Sequence, residues 1–256
     1  MRILPFSVRA GLLLLPALFQ ACQKEKGSFF TNPDLTPYYI QQIAVISSGA
    51  NTPDGIDTLV YSFTYNRRGD PLTVKHPGVA TGNPNAAFLY DNYGRLSAYV
   101  RPYNGGGYES YVKYFYNDYN QIASDSEYIF GLYMDSVPIA NLEYGFRIHW
   151  YKYDEQGRII QRIDSGYGGG ARFGTVIGFA YDGNGDLING ALYDNKVNYR
   201  RTNAIWMFLS NDYSVHNAFR ANSYNAYGLP LVFDGLNPIG DAIVDSGRIL
   251  MTYGRR

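Results

Sequence analysis

The sequence predicts an all-β protein made of consecutive antiparallel β-hairpins that form a long curved sheet or a partly closed barrel. The chain is rich in tyrosine and glycine, with 26 Tyr and 28 Gly among 256 residues, and these residues favour strands and turns over helices. A short pattern recurs six times: an aromatic residue, any residue, Tyr, then Asp or Asn, any two residues and Gly, with Asn120 in the Gly position of the third copy and Asn222 in the first aromatic position of the last. An apolar residue follows each copy, so the alternation of a strand resumes after each turn.

The repeated pattern has the chemistry of a β-hairpin. The two aromatic positions of the first five copies lie two residues apart and therefore point to the same face of a strand. Asp or Asn opens the turn because its side chain bonds backbone amides two residues on. The last position needs a positive φ, which Gly adopts freely and Asn tolerates. The predicted turn residues are Gly69, Gly94, Asn120, Gly157, Gly185 and Gly228.

The segments around the repeats complete the fold. Tyr38–Ser47 and Thr58–Tyr65 are predicted strands on either side of a turn-rich loop, Ser48–Asp57. Arg248–Tyr253 is predicted as a closing strand. Asn203–Ala221 breaks the alternation with apolar residues at helical spacing, so we expect a short helix there.

The N-terminal segment has the layout of an export signal. A basic start, an apolar run too short to span a bilayer and a small residue at position 21 precede Cys22, which is the single cysteine. The segment Leu18–Cys22 resembles a bacterial lipobox, whose Cys is lipidated and becomes the new N-terminus. We therefore expect a signal peptide at 1–21, a tether at 22–36 and a β-domain at 37–256. The charged stretch Gln23–Lys26 is similar to the export signal of surface-exposed lipoproteins, so the expected location is the outer membrane, and the similarity favours display at the cell surface.

The repeats also carry a family resemblance. The Tyr-Asp-x-x-Gly-Arg-Leu forms at 90–96 and, with Ile in place of Leu, at 153–159 resemble YD (RHS-type) repeats. The whole layout, over roughly 38–256, is similar to uncharacterised Bacteroidota lipoproteins that carry such repeats behind a lipobox. This resemblance implies a fold and a cellular location but no activity.

Composition and motif spacing exclude several functions. Lys plus Arg is 22 and Asp plus Glu is 22, so the chain has no charge excess for nucleic acid. One Cys excludes a disulfide framework, and His76, His149 and His216 lack metal-ligand spacing, so we expect no cofactor. His149 shares a strand face with Tyr151, and we expect all three histidines to be structural or at the surface. The run at 182–186 resembles the start of a calcium loop but lacks its later Gly and Glu, and a hairpin turn accounts for it.

These observations favour a non-enzymatic binding or surface-interaction module for a glycan or peptide, held to the membrane by its lipid. Aromatic residues beyond the needs of the hairpins are candidates for a ligand platform: Trp206, Tyr213, Tyr108 and Tyr111. The alternatives are a purely structural or adhesive surface protein, in which the aromatics only hold hairpins together, and a hydrolase. Exposed aromatics around a groove would favour binding, Asp, Glu or His in a pocket would favour an enzyme, and a flat polar surface would favour a structural role.

Overall fold

The computed structural model describes residues 38–48, 55–168 and 171–255. The predicted signal peptide, Cys22, the tether and most of the loop before β2 lie outside these residues. The strands are β1 (Tyr38–Ser48), β2 (Ile56–Tyr65), β3 (Pro71–Lys75), β4 (Ala86–Tyr90), β5 (Leu96–Pro102), β6 (Gly107–Tyr116), β7 (Ile122–Met134), β8 (Val137–Ile139), β9 (Phe146–Tyr153), β10 (Ile159–Gly168), β11 (Ala171–Gly178), β12 (Ser223–Tyr224), β13 (Pro230–Leu236) and β14 (Ser246–Arg255). One α-helix, α1 (Ala204–Ser210), and two short 3-10 helices, Tyr199–Thr202 and Gly240–Ala242, complete the described structure.

All the strands belong to one antiparallel sheet, which confirms the predicted fold class. Strands that follow one another in sequence are neighbours over most of the sheet, in the order β11-β10-β9-β7-β6-β5-β4-β3-β2-β1-β14-β13-β12, and β8 pairs only with β7. The last long strand, β14, pairs with β1 and so joins the two ends of the domain. No pairing joins the edge strands β11 and β12 within the described residues, so the sheet is open rather than a closed barrel.

The turn prediction is confirmed in all six copies of the repeat. The final Gly or Asn of each copy has a φ between 61° and 86°. The Asp or Asn side chain accepts hydrogen bonds from the backbone amides two and four residues later, as Asp91 does from Tyr93 and Arg95 at 3.0 and 2.8 Å. The same pair of bonds occurs at Asn66, Asn117, Asp154, Asp182 and Asn225.

Three of the repeat tyrosines link their hairpin to the one before it. The Tyr90 hydroxyl donates to the carbonyl of Pro71 at 2.6 Å, and the Tyr116 hydroxyl donates to that of Leu96 at 2.8 Å. In the same way, the Tyr153 hydroxyl donates to the carbonyl of Ile122 at 2.8 Å. In each case the acceptor stands six positions after the preceding repeat Tyr. In these three copies the tyrosine hydroxyl therefore fixes the spacing of successive turns.

The arginine of the Tyr-Asp-x-x-Gly-Arg form adds a second link. Arg95 lies over the ring of Tyr116, with 4.4 Å between the guanidinium carbon and the ring centroid. Arg158 lies over the ring of Tyr181 at 4.1 Å. Each of these arginines also pairs with the Asp of its own turn at 2.7 Å. This part of the motif thus joins a turn to the next tyrosine along the chain by a cation–π contact.

Helix α1 lies on one face of the sheet, which we call the inner face, and fills the core there. Asn203 begins the helix by accepting a bond from the amide of Ile205, and Asn211 ends it with a φ of 48°. The ring of Trp206 is fully buried and lies edge-on to Phe63 and Phe88, with centroids 5.6 and 5.5 Å apart. The predicted short helix is therefore confirmed, and it contributes large side chains to the main core.

A second, smaller cluster occupies the opposite, outer face. It contains Ala87, Val100 and Tyr108, with Tyr111 and Tyr128 packed against it. Residues 99 and 100 illustrate the two faces, because Tyr99 belongs to the main core and Val100 to the outer cluster. None of the helices in the described part of the chain is long and apolar enough to cross a membrane.

Candidate functional site: a polar cleft on the inner face

A cleft of about 310 Å³ opens on the inner face of the sheet beside the end of α1. Its floor is formed by β5, β6, β7, β9 and β10. One side is formed by Leu209 and Asn211 at the end of α1 and by Asp241 in the second 3-10 helix. The charged side chains that line it are Asp125, Glu127, Arg147, His149, Arg162, Asp164 and Asp241. Aromatic walls are provided by Tyr99, Tyr114, Tyr151 and Phe208.

Strand register brings these charged residues together. Asp125 on β7 lies opposite His149 on β9, and His149 lies opposite Asp164 on β10. Glu127 lies opposite Arg147 one step further along the same two strands. Because side chains two residues apart share a face, both rows point to the inner side of the sheet.

Asp125 is the most buried of the charged groups, at 1% exposure. Its two carboxylate oxygens lie 2.7 Å from Nδ1 of His149 and 2.6 Å from the hydroxyl of Tyr151, which donates to it. The carboxylate orients the imidazole through Nδ1. The other ring nitrogen, Nε2, lies 4.0 Å from a carboxylate oxygen of Asp164. Burial alone would lower the pKa of His149, but the hydrogen bond and charge of Asp125, with the charges of Asp164 and Glu127, raise it above its ordinary value.

Two arginine–carboxylate pairs flank this centre. Arg162 donates two hydrogen bonds to Asp164, at 2.7 and 3.0 Å. Arg147 donates one bond to Glu127 at 3.3 Å, and its side chain is 46% exposed while that of Glu127 is 16% exposed. Burial raises the pKa of Glu127 despite the nearby guanidinium of Arg147. The site thus holds its charges in matched pairs on rigid strands.

One buried polar atom at the cleft has no hydrogen-bond partner in the described residues. Tyr99 is 2% exposed and lines the cleft, and its hydroxyl makes no hydrogen bond there. Burial raises the pKa of this hydroxyl, so it stays protonated and can both donate and accept. Because a buried hydroxyl without a partner is costly, its position favours a partner that enters from outside.

The predicted aromatic platform is wrong. Trp206 and Tyr213 are 0% and 3% exposed and belong to the main core, so their rings cannot stack on a ligand. Tyr108 is buried in the outer cluster, where its hydroxyl donates to the carbonyl of Ile139. Tyr111 stacks on Tyr128 in the same cluster with centroids 5.6 Å apart. These aromatics serve packing on two opposite faces of the sheet and do not meet at one surface.

The cleft was not predicted from the sequence, from which His149 was expected to be structural or at the surface. His149 and Tyr151 share a face as expected, and both contact Asp125. The acidic and arginine residues were not predicted, although Asp125 and Glu127 stand two apart on one strand, a spacing that places both carboxylates on the same face. Within the described residues, no group of three or more His, Cys, Asp or Glu side chains is arranged to hold a metal ion.

Comparisons with known proteins give little further information. No family model matches the sequence, and no curated protein matches it. Among solved structures, the chain is similar to a porin-like protein from Bacteroides uniformis, with 9% sequence identity and a TM-score of 0.36. That alignment covers 85% of this chain and 98% of the other.

Proposed function

We propose that this chain is a lipid-anchored protein of the bacterial cell envelope that binds a small polar ligand, a glycan or a peptide, in the cleft. The observation that carries the proposal is the row of Asp125, His149 and Asp164, which three paired strands hold side by side in a concave site. Polar groups that converge in a pocket are the usual mark of a ligand site.

The cleft is organised before any ligand arrives. Each ionised group on the strands is held by a neighbour, as Arg162 holds Asp164 and as Tyr151 and His149 hold Asp125. A ligand would therefore meet fixed donors and acceptors, and less side-chain ordering would be lost on binding.

The proposed anchor suits such a role. The tether at residues 22–36 has 15 residues and could reach roughly 50 Å if extended. Lipidation of Cys22 would then keep the domain at the membrane and let the cleft face away from it. This part of the proposal rests on the sequence around Cys22.

The binding proposal can be tested with variants of the cleft. Purified domain would be screened by thermal shift and calorimetry against oligosaccharides and peptides. Glu127→Gln and His149→Gln should abolish or strongly weaken binding, while the matched exposed control Glu143→Gln should bind as wild type does. Binding that survives both cleft substitutions, or a wild type that binds nothing in either panel, would contradict the proposal.

A hydrolase is the second candidate, because the Asp125–His149 pair is half of a common catalytic arrangement. A carboxylate that orients imidazole through Nδ1 leaves Nε2 to act as a general base at pH values where the ring is neutral. In the described residues no Ser or Cys is hydrogen-bonded to His149, so the base would have to activate water. Turnover of chromogenic esters or glycosides that is lost in His149→Gln would favour this candidate over binding alone.

A further inference from the structure

The charges on the floor of the cleft balance when His149 is protonated and its three carboxylates are ionised. Three carboxylates, Asp125, Glu127 and Asp164, stand with the two guanidiniums of Arg147 and Arg162 and with the imidazole of His149, whose surroundings favour its protonated form. With His149 protonated, three negative charges meet three positive ones. A charged ligand would have to displace one of these internal pairs or remain unpaired itself, and both cost free energy in a partly buried site.

The rim disfavours an acidic ligand in particular. Asp241 lines the cleft on the helix side and has no hydrogen-bonded or ionic partner among the described residues. It adds one unpaired negative charge where a ligand would enter. A sugar acid or acidic peptide would therefore meet repulsion and no unpaired cation.

The floor also lacks what an extended peptide needs. Peptides commonly bind by adding a strand to an open sheet edge, where main-chain groups are free. The five strands under the cleft each pair with a neighbour on both sides, so their main-chain groups are used within the sheet. Recognition must come from side chains, and fixed carboxylates beside fixed guanidiniums match hydroxyl groups, which both accept and donate.

Size and walls agree with a sugar. A volume of about 310 Å³ lies at the small end of ligand sites, which run from about 300 to 1,000 Å³. That space suits one or two sugar rings. The ring of Tyr151, which is only partly buried, supplies apolar surface for the C–H face of such a ring.

We infer that the cleft binds the terminal one or two units of an uncharged glycan, with the Tyr99 hydroxyl bonded to a sugar hydroxyl. This inference rests on the proposed binding function and names the ligand class for the same site. Charge balance, strand pairing, cleft volume and the unpartnered hydroxyl favour a glycan over a peptide as the ligand.

The test makes the same substitution, Tyr to Phe, at two positions. Tyr99→Phe removes a hydroxyl that has no partner in the described residues, so the melting temperature should be unchanged or higher. Its affinity for neutral oligosaccharides should fall about two- to tenfold, as expected for one lost hydrogen bond. Tyr90→Phe is the matched control, because its hydroxyl bonds Pro71 away from the cleft. That variant should melt earlier and bind as wild type does.

Calorimetry would use neutral oligosaccharides, uronic-acid oligosaccharides and peptides as probes, on wild type, both tyrosine variants and Glu127→Gln. Preference for neutral sugars, weakened in Tyr99→Phe, is the expected result. Preference for uronates or peptides that is lost in Glu127→Gln would overturn the ligand class and leave the binding function standing. Equal affinity in Tyr99→Phe and wild type would overturn the role of the hydroxyl. Binding of no probe would overturn both the inference and the proposed function.

Discussion

Removing the Tyr116 hydroxyl tests whether the bonds between hairpins stabilise the sheet. Tyr116→Phe keeps the ring and its contact with Arg95, and it deletes only the 2.8 Å bond to the carbonyl of Leu96. A typical hydrogen bond contributes about 0.5–1.5 kcal/mol, and a buried acceptor left without a partner costs about 1–3 kcal/mol. We therefore expect a loss of about 1–2 kcal/mol in the free energy of unfolding. For a domain of this size that corresponds to roughly 2–8 °C in melting temperature.

Urea and thermal unfolding of the purified domain would measure this loss. Tyr119→Phe is the matched control, because Tyr119 lies in the same hairpin and is 72% exposed. The control should unfold within about 0.5 kcal/mol of wild type, as substitutions at open surface positions usually do. If Tyr116→Phe is as stable as Tyr119→Phe, the hydroxyl bond adds nothing and the assigned role of the repeat tyrosines is refuted.

Three further predictions concern a turn, a charged group and the anchor. Gly157 has a φ of 77°, so Gly157→Val should cost about 1–3 kcal/mol and Gly157→Asn less, and urea melts giving equal losses would contradict this. The raised pKa of His149 stabilises the fold fully below the unfolded pKa of about 6.5, and this contribution is lost as pH rises through the folded value. His149→Gln should therefore destabilise the domain more at pH 5.5 than at pH 9, and an equal loss at both would exclude a charged imidazole. Cys22→Ser should abolish incorporation of a fatty-acid probe, and labelling equal to wild type would exclude lipidation at this residue.

The hairpins were predictable because their chemistry is local. Asp or Asn, two spacer residues and Gly specify one turn within a few residues, and no distant contact is needed to choose the sign of φ at Gly157 or Asn120. The order of the sheet follows from the same locality, since consecutive hairpins pair with their neighbours. The closing strand was predicted at Arg248–Tyr253, but no local pattern showed that it would pair with β1.

The cleft was not predictable because its residues meet only through register. Asp125, His149 and Asp164 are separated by 24 and 15 residues, and nothing in their spacing shows that β8 is set aside so that β7 pairs with β9. Trp206, in contrast, was wrongly predicted to be a ligand-binding residue. Its place outside the repeats suggested a surface role, whereas an open curved sheet needs large side chains from a non-repeating segment to fill its inner face.

The repeat and the cleft are physically coupled at one point. The Tyr153 hydroxyl, at the end of β9, bonds the carbonyl of Ile122, at the start of β7, three residues before Asp125. This bond fixes the alignment of the two strands that place Asp125 opposite His149. A slip of one residue would turn the carboxylate to the outer face and separate it from the imidazole. The tyrosine repeat therefore does more than join hairpins, because the same bond that stabilises the sheet also sets the geometry of the site.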